Sequence, residues 1–494
     1  MTEEQIENRP ELPVNWFSGD RPENPNWEMP QGTPPEMHSG DMQWMPWGMP
    51  ENMPWSQSNS NITHNGVNTF SKDDTLSNQE FSSKWDSEHA VLVSGGNIVI
   101  SDSVITKSGD ADGDNADFYG TNAAVIAIDW KLELNNVSVN SDWAHANAVF
   151  AYWDGEIIIS NSVITTKDNN SWWIMVTWWG KLTANNLTVT TEWNSSAAIR
   201  SDRWGGEIYV NWWLYTTNGV WSPAIYSTAN IVVEDAVLVA TKSEWAIVEW
   251  KNSISIVNST LTDSNTTLNG QSTTYKNIFL YQSMSGDADE WTAKFTAINS
   301  KIITNKWDTI YVTNTSADIY LESNEIINYD WDFLRIEAAA WWNEGHNWWN
   351  VNLNLVNQKV EWDILVDDIS TLNIEMTEWS QLIWAINSSN TSKNISINID
   401  GTSTWTLNAD SYISELQSST DDYANINLNW YTLYIWDEII TSTSYQETSE
   451  TSTTTLTTDS ESHYSTSNII WWWVSTIAII AILYILIRKL FRKK

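Results

Sequence analysis

The chain has 494 residues, enough for one long repetitive domain or several ordinary ones, so core size is not limiting. Its 24 basic residues stand against 62 acidic ones, and five of those positives fall in the last seven residues, so the rest of this chain of net charge −38 repels phosphate backbones and excludes nucleic acid as a partner. Cysteine is absent, which removes disulfides, iron–sulfur clusters, cysteine zinc sites and thiol nucleophiles together.

Residues 1–75 are rich in Pro, Met, Asn, Glu and Trp, as in PQGTPPEMHSGDMQWMPWGMPENMPW, and lack any periodicity, which predicts a disordered leader. Met42, Met45, Met49 and Met53 with His38 are donors that suit a soft metal, although a low-complexity leader is the simpler reading. The opening MTEEQIENRPELPV has no basic n-region and no apolar h-region, so it is not a signal peptide. For an exported body the expectation is then a start upstream of residue 1.

Residues 76–438 change character, to short runs of Val, Ile and Thr separated by Asn, Asp, Ser and Gly or Trp. The runs align as NIVISDSVITKSGD (97–110), KLELNNVSVNSDW (131–143), EIIISNSVITTKDN (156–169), KLTANNLTVTTEW (181–193), EIYVNWWLYTTNG (207–219), NIVVEDAVLVATK (230–242) and NSISIVNSTLTDS (252–264). After a longer first interval their starts are 25, 25, 26, 23 and 22 residues apart. A period in the twenties made of two short strands and polar turns predicts a parallel β-helix, with alternate apolar residues facing inward. No segment of this body offers a helix of ten or more residues, so α/β folds lose their necessary helices.

Residues 439–468 form a Ser/Thr-rich stalk. Ile469–Ile487 then gives 19 residues without a charge, followed by the basic 488–494, RKLFRKK. This pattern predicts a transmembrane helix with its tail in the cytoplasm and the body outside: a single-pass protein of the cell membrane.

Tryptophan is the anomaly, at 36 residues against 19 glycines. It clusters as Trp172-Trp173, Trp178-Trp179-Gly180, Trp212-Trp213, Trp348-Trp349 and Trp471-Trp472-Trp473, mostly beside turn-forming residues. Turns want residues that tolerate positive φ, which an indole does not. If these positions are glycine, the glycine content rises to about 11%, ordinary for a turn-rich repetitive protein. Some bacteria read the codon UGA as glycine, and the sequence reads as one translated with UGA as tryptophan. The competing expectation is a real aromatic surface that stacks on sugars.

Between about Asp110 and Ile435 the chain resembles a bacterial family of carbohydrate-binding-domain-like proteins with a pectate-lyase-like right-handed β-helix. The resemblance lies in ADGDNADFYGTNAAVIA (111–127), AHANAVFAY (144–152), SSAAIRSDR (195–203), SPAIYSTANI (222–231), GQSTTYKNIFLYQSMSGDAD (270–289), DTIYVTNTSADI (308–319), DDISTLNIEM (367–376) and STWTLNADSYISEL (403–416). The family pattern usually carries glycine where this chain has Trp143, Trp153, Trp179, Trp204, Trp245, Trp250, Trp307 and Trp362, and a true Trp at the position of Trp405; Trp341 also reads as genuine. The resemblance implies an all-β, right-handed parallel β-helix at the cell surface or secreted.

SGDADGDNADFYG places Asp110, Asp112, Asp114 and Asp117 within eight residues, and SGDADEW adds Asp287, Asp289 and Glu290. Closely spaced carboxylates supply the hard oxygens calcium prefers, although the EF-hand pattern is absent and acidic turns are common in polyanionic proteins. Arg200, Asp202 and Arg203 stand out because arginine is scarce in the body. A calcium-dependent polysaccharide lyase needs a base, often an arginine, beside carboxylates that hold the metal, and a salt-bridged turn is the plainer use of these residues. The six histidines show no zinc spacing, and His145 and His346 read as coil or turn residues.

The leading expectation is a non-catalytic surface adhesion or carbohydrate-binding module on a membrane anchor. It would bind extracellular glycan or a neighbouring cell by multipoint hydrogen bonding along a repetitive face, with no required cofactor beyond, at most, calcium. The alternatives are the lyase, which needs Arg200 or Arg335 to meet carboxylates on one coil face, and a passive structural surface protein.

Overall fold

A computed structural model describes residues 62–441 apart from 112, 192, 204, 250, 264–267, 269–275, 283–291, 307, 330–331, 339–348 and 393. Strands follow one another from Gly66 to Ile440, and all their described pairings are parallel except that of Leu433–Ile435 with Glu438–Ile440, which folds back at the carboxy-terminal end. The strands stack into a twelve-stranded sheet, a twenty-two-stranded sheet and two small sheets. The expected all-β parallel solenoid is therefore the fold.

Strict alternation drives the assembly. Ile98, Leu132, Ile157, Leu182, Ile208, Ile231 and Ile254 align strand on strand and are all buried, and Phe295, Ile319, Leu353, Ile374 and Ile397 continue the same column. Each coil lends its apolar side chains to a continuous core that no coil could close alone. The sequence alignment slips at one point: Asn230 pairs with Ser253, not Asn252. The correct register keeps Ile254 and Ile256 in the core, whereas the slipped one would bury Ser253 instead, since one residue reverses every side chain.

The corners obey a second rule. The residue that follows the first arm of each coil has φ between 47° and 59° in twelve successive coils: Asn78, Asp102, Asn136, Asn161, Asn186, Trp212, Asp235, Asn258, Asn299, Ser323, Asn357 and Glu378. Asn and Asp tolerate this left-handed region, and their side chains chain the coils together. Asn136 Nδ2 donates to Asp102 Oδ1 at 2.6 Å, Asn186 Nδ2 to Asn161 Oδ1 at 2.9 Å, and Asn357 Nδ2 to Ser323 Oγ at 2.8 Å. Trp212 is foreign to this column, and Trp153, Trp178, Trp179, Trp221, Trp362, Trp379, Trp430 and Trp436 also have φ between 46° and 96°. Two buried tryptophans are foreign in another way: Trp173 and Trp245 interrupt a column that holds Ala124, Ala148, Ala198 and Ala224 before it passes on to Asn277 and Thr309.

The expected transmembrane helix is not carried forward. Among the described residues no helix is long and apolar enough to cross a membrane, the α-helix there being the six-residue Asp114–Tyr119, and 469–487 lie outside the described residues. The single-pass membrane localisation, the membrane as partner and the cytoplasmic tail are corrected with it.

Candidate functional site

Among the described residues, Arg200, Asp202, Arg203 and Asp117 gather on the outer face of the twelve-stranded sheet. Arg200 lies on the strand Ile199–Asp202, and its Nη2 donates to Asp202 Oδ2 at 2.7 Å. Its guanidinium carbon stands 4.0 Å from the centre of the Trp172 ring and 4.7 Å from that of Tyr226, while the buried Nε has no hydrogen-bond partner. Burial works against this charge, but Asp202, Tyr226 and Asp117 more than offset it and hold the guanidinium protonated. Arg203 turns the chain at φ 42°, takes Asp202 Oδ1 on its backbone N–H at 2.9 Å and places its guanidinium 4.1 Å over Phe118.

The long first interval of the repeat is the loop that carries the helix Asp114–Tyr119 onto this face. Asp117 reaches His145 Nδ1 at 2.7 Å, and burial pushes its carboxyl up despite that contact. His145 is a turn residue, at φ 56°. Beyond Arg200, Tyr226 Oη donates to Glu249 Oε2 at 2.5 Å and lies 3.0 Å from Tyr281 Oη. Arg335 falls in the same column as Arg200, five strands on, bound to Asp308 at 2.8 Å and to Asp332 at 2.6 Å. Asp308 is fully buried and desolvation pushes its carboxyl up to about 7, against the pull of Arg335. Both arginines thus meet carboxylates on one face, as the lyase expectation required, but each is consumed by ion pairs within the fold.

Among the described residues no group of three or more His, Asp or Glu could hold an ion. Asp110 is exposed and its Oδ1 accepts from the Ala111 N–H at 2.9 Å, and Asp117 is engaged by His145. Asp112, Asp287, Asp289 and Glu290 lie outside the described residues, as does the side chain of Asp114. The calcium-dependent lyase is accordingly not carried forward.

A second feature was not singled out in the sequence. A groove of about 490 Å³ opens on the outer face of the twenty-two-stranded sheet, across the strands Ala317–Glu322, Asn350–Val356, Thr371–Thr377, Ile395–Ile399 and Glu415–Ser418. Two polar columns run along it. In the first, Asn352 donates to Asp318 at 2.8 Å, Asn373 to Asn352 at 3.0 Å, and Ser396 to Asn373 at 2.6 Å, a chain of hydrogen bonds that fixes four side chains. In the second, Asn354, Glu375 and Asn398 align strand on strand and none of their side chains makes a hydrogen bond to a described residue. Glu415 and Gln417 close the end, bonded to each other at 2.8 Å. The alternation in NVNLNLV, TLNIEMT and ISINI marked these residues as outward-facing. Their convergence was hidden because the coils between them differ in length, with register steps of Asp318 to Asn352, Asn373, Ser396 and Glu415.

A third arrangement is the ring cluster of Tyr119, Tyr152, Trp153, Trp178 and Trp179, in which Tyr119 stacks on Trp178 at 5.9 Å between centroids. All three tryptophans are among those at positive φ.

No known family model matches the chain, and no curated protein matches it. What stands is the fold, a parallel β-solenoid, together with the two faces just described.

Proposed function

We propose that the protein is a non-catalytic, adhesin-like solenoid module that binds an extended glycan in the groove between Asp318 and Gln417. The observation that carries this reading is the pairing of one preorganised polar column with one whose amides and carboxylate are uncommitted. Amide side chains repeated at the strand spacing of about 4.8 Å offer donors and acceptors to successive hydroxyls of a linear chain, and many weak bonds in register add up. The volume falls within the range of about 300–1,000 Å³ usual for binding sites. Its carboxylates are widely spread: Glu375 sits two strands from Asp318 and two from Glu415, about 10 Å along the axis, wider than the roughly 5–9.5 Å that glycosidases place between their two acids. Calorimetric titration with a panel of linear hexasaccharides tests the reading. Binding that Asn354→Ala and Asn398→Ala each weaken supports it, and no binding by any member of the panel sinks it.

We further propose that many tryptophans of the written sequence are glycine in the protein, as reading of UGA as glycine would give, within a pectate-lyase-like bacterial β-helix family. The support is conformational: nine described tryptophans stand at φ between 46° and 96°, and the buried Trp173 stands between Ala148 and Ala198 in the core. Weighing the native tryptic peptide 168–181 decides the point, since four replacements lower its mass by about 516 Da. The ring cluster around Trp178 would vanish with that substitution. The groove would not change, because no tryptophan lines it.

A further inference from the structure

We infer that the glycan bound in this groove carries free amino groups: a linear polymer of amino sugars with at least part of its nitrogen unacetylated. This rests on the glycan reading above and adds the chemical class of the ligand. Eleven residues line the groove, among them Asp318, Glu375 and Glu415, and none is basic. The nearest base in register is Lys294, one strand before Asp318 and outside the lining. The three carboxylates do not serve the fold equally. Asp318 and Glu415 each accept an amide hydrogen bond at 2.8 Å, which leaves oxygen lone pairs open. Glu375, at the centre of the groove, accepts none and is exposed.

An exposed carboxylate with no partner among the described residues, held between two uncommitted amides, favours a cationic polymer over a neutral one and repels an acidic one. A protonated amine supplies both the charge and the donors that Glu375 lacks. Asp318 and Glu415 lie four strands apart in one column, and Glu375 lies midway between them along the axis but two residues aside, in the neighbouring column. A chain laid along that second column would bring an amine to Glu375, while Asn354 and Asn398 take the hydroxyls on either side and Asp318 and Glu415 add their charge from the flank.

The test compares three hexasaccharides by calorimetry with the full chain at pH 6: β-1,4-linked glucosamine, its fully N-acetylated counterpart and the corresponding glucan. The expected result is that the glucosamine hexamer binds about tenfold tighter than the other two at low salt, as a few exposed ion pairs allow, and that this advantage shrinks in 0.5 M salt. Glu375→Gln, isosteric and exposed, should remove much of the glucosamine hexamer's advantage over the acetylated one. Equal binding of all three hexamers, or a preference that survives Glu375→Gln, overturns the inference and leaves the groove a glycan site. Failure of all three to bind overturns the underlying reading as well.

Discussion

Replacing the six exposed left-handed tryptophans Trp153, Trp179, Trp212, Trp379, Trp430 and Trp436 by glycine together should stabilise the protein. These side chains are between 47% and 89% exposed, so little packing is lost with them beyond the ring contacts of Trp153 and Trp179. Each sits at φ between 46° and 69°, or at 73° for Trp430. A residue with a Cβ gives up roughly 1–2 kcal/mol in that region, and glycine returns roughly 0.5–1 kcal/mol of this through the greater freedom of its unfolded chain. The net gain is about 0.5–1 kcal/mol per site, and about 3–6 kcal/mol for the six if they act independently. Trp212 alone gives up a hydrogen bond in the exchange, from Nε1 to Asp235 at 3.2 Å, and it is exposed. Trp405 is the internal control. It is fully buried, its φ is not left-handed, and its Nε1 donates to Trp384 O at 3.0 Å, so Trp405→Gly should cost about 3–5 kcal/mol. Urea unfolding of the written sequence, the sixfold variant and Trp405→Gly, followed by far-ultraviolet circular dichroism, gives the comparison. A sixfold variant no more stable than the written sequence refutes the conformational reasoning, and so does a neutral Trp405→Gly.

Three further outcomes follow from particular contacts. Asn161 both donates to Asn135 at 3.0 Å and accepts from Asn186 at 2.9 Å while holding φ 52°, so Asn161→Ala should lose about 2 kcal/mol by urea titration and Asn161→Gly about half of that, the hydrogen-bond part alone. A Cβ on Gly206 would stand 1.9 Å from Gly180 O, so Gly206→Ala should force the adjacent coils apart and cost several kcal/mol, read as lost amide-exchange protection in the strands Gly180–Thr191 and Gly206–Thr217. His64 Nδ1 lies 3.1 Å from His89 Nε2, and burial lowers the two rings to about 4 and about 3 respectively. Both bind protons more readily unfolded, so their share of stability is intact above pH about 6.5 and falls away as the pH drops toward 4. The urea midpoint should decline less over that window in a His64→Gln, His89→Gln double variant; an equal decline would mean that other groups govern the acid response.

What the sequence determined by itself is the local grammar: period-two alternation, polar corners, a repeat in the twenties and the absence of long helices are short-range properties, and they suffice for a parallel solenoid. Leu132, Leu134 and Val139 announced a buried face because each stands between polar neighbours. The oddity of tryptophan in turns was legible for the same reason, since φ is a preference of single residues. Tertiary structure alone decided how the later, irregular coils stand in register. Lys294, Asp318, Asn352, Asn373, Ser396 and Glu415 form one outward column although the steps between them are unequal, because loops of different length are expelled from the stack while the strands stay paired. It likewise gave Arg200 and Arg335 their fates. The sequence singled them out as rare, but only packing showed that Asp202 holds the one and Asp308 and Asp332 the other, because a charge taken from water must find its partner inside the fold. The groove stayed hidden until the coils were stacked, since its carboxylates and amides come from five strands spread over a hundred residues of chain and meet only where hydrogen bonding between coils sets them side by side.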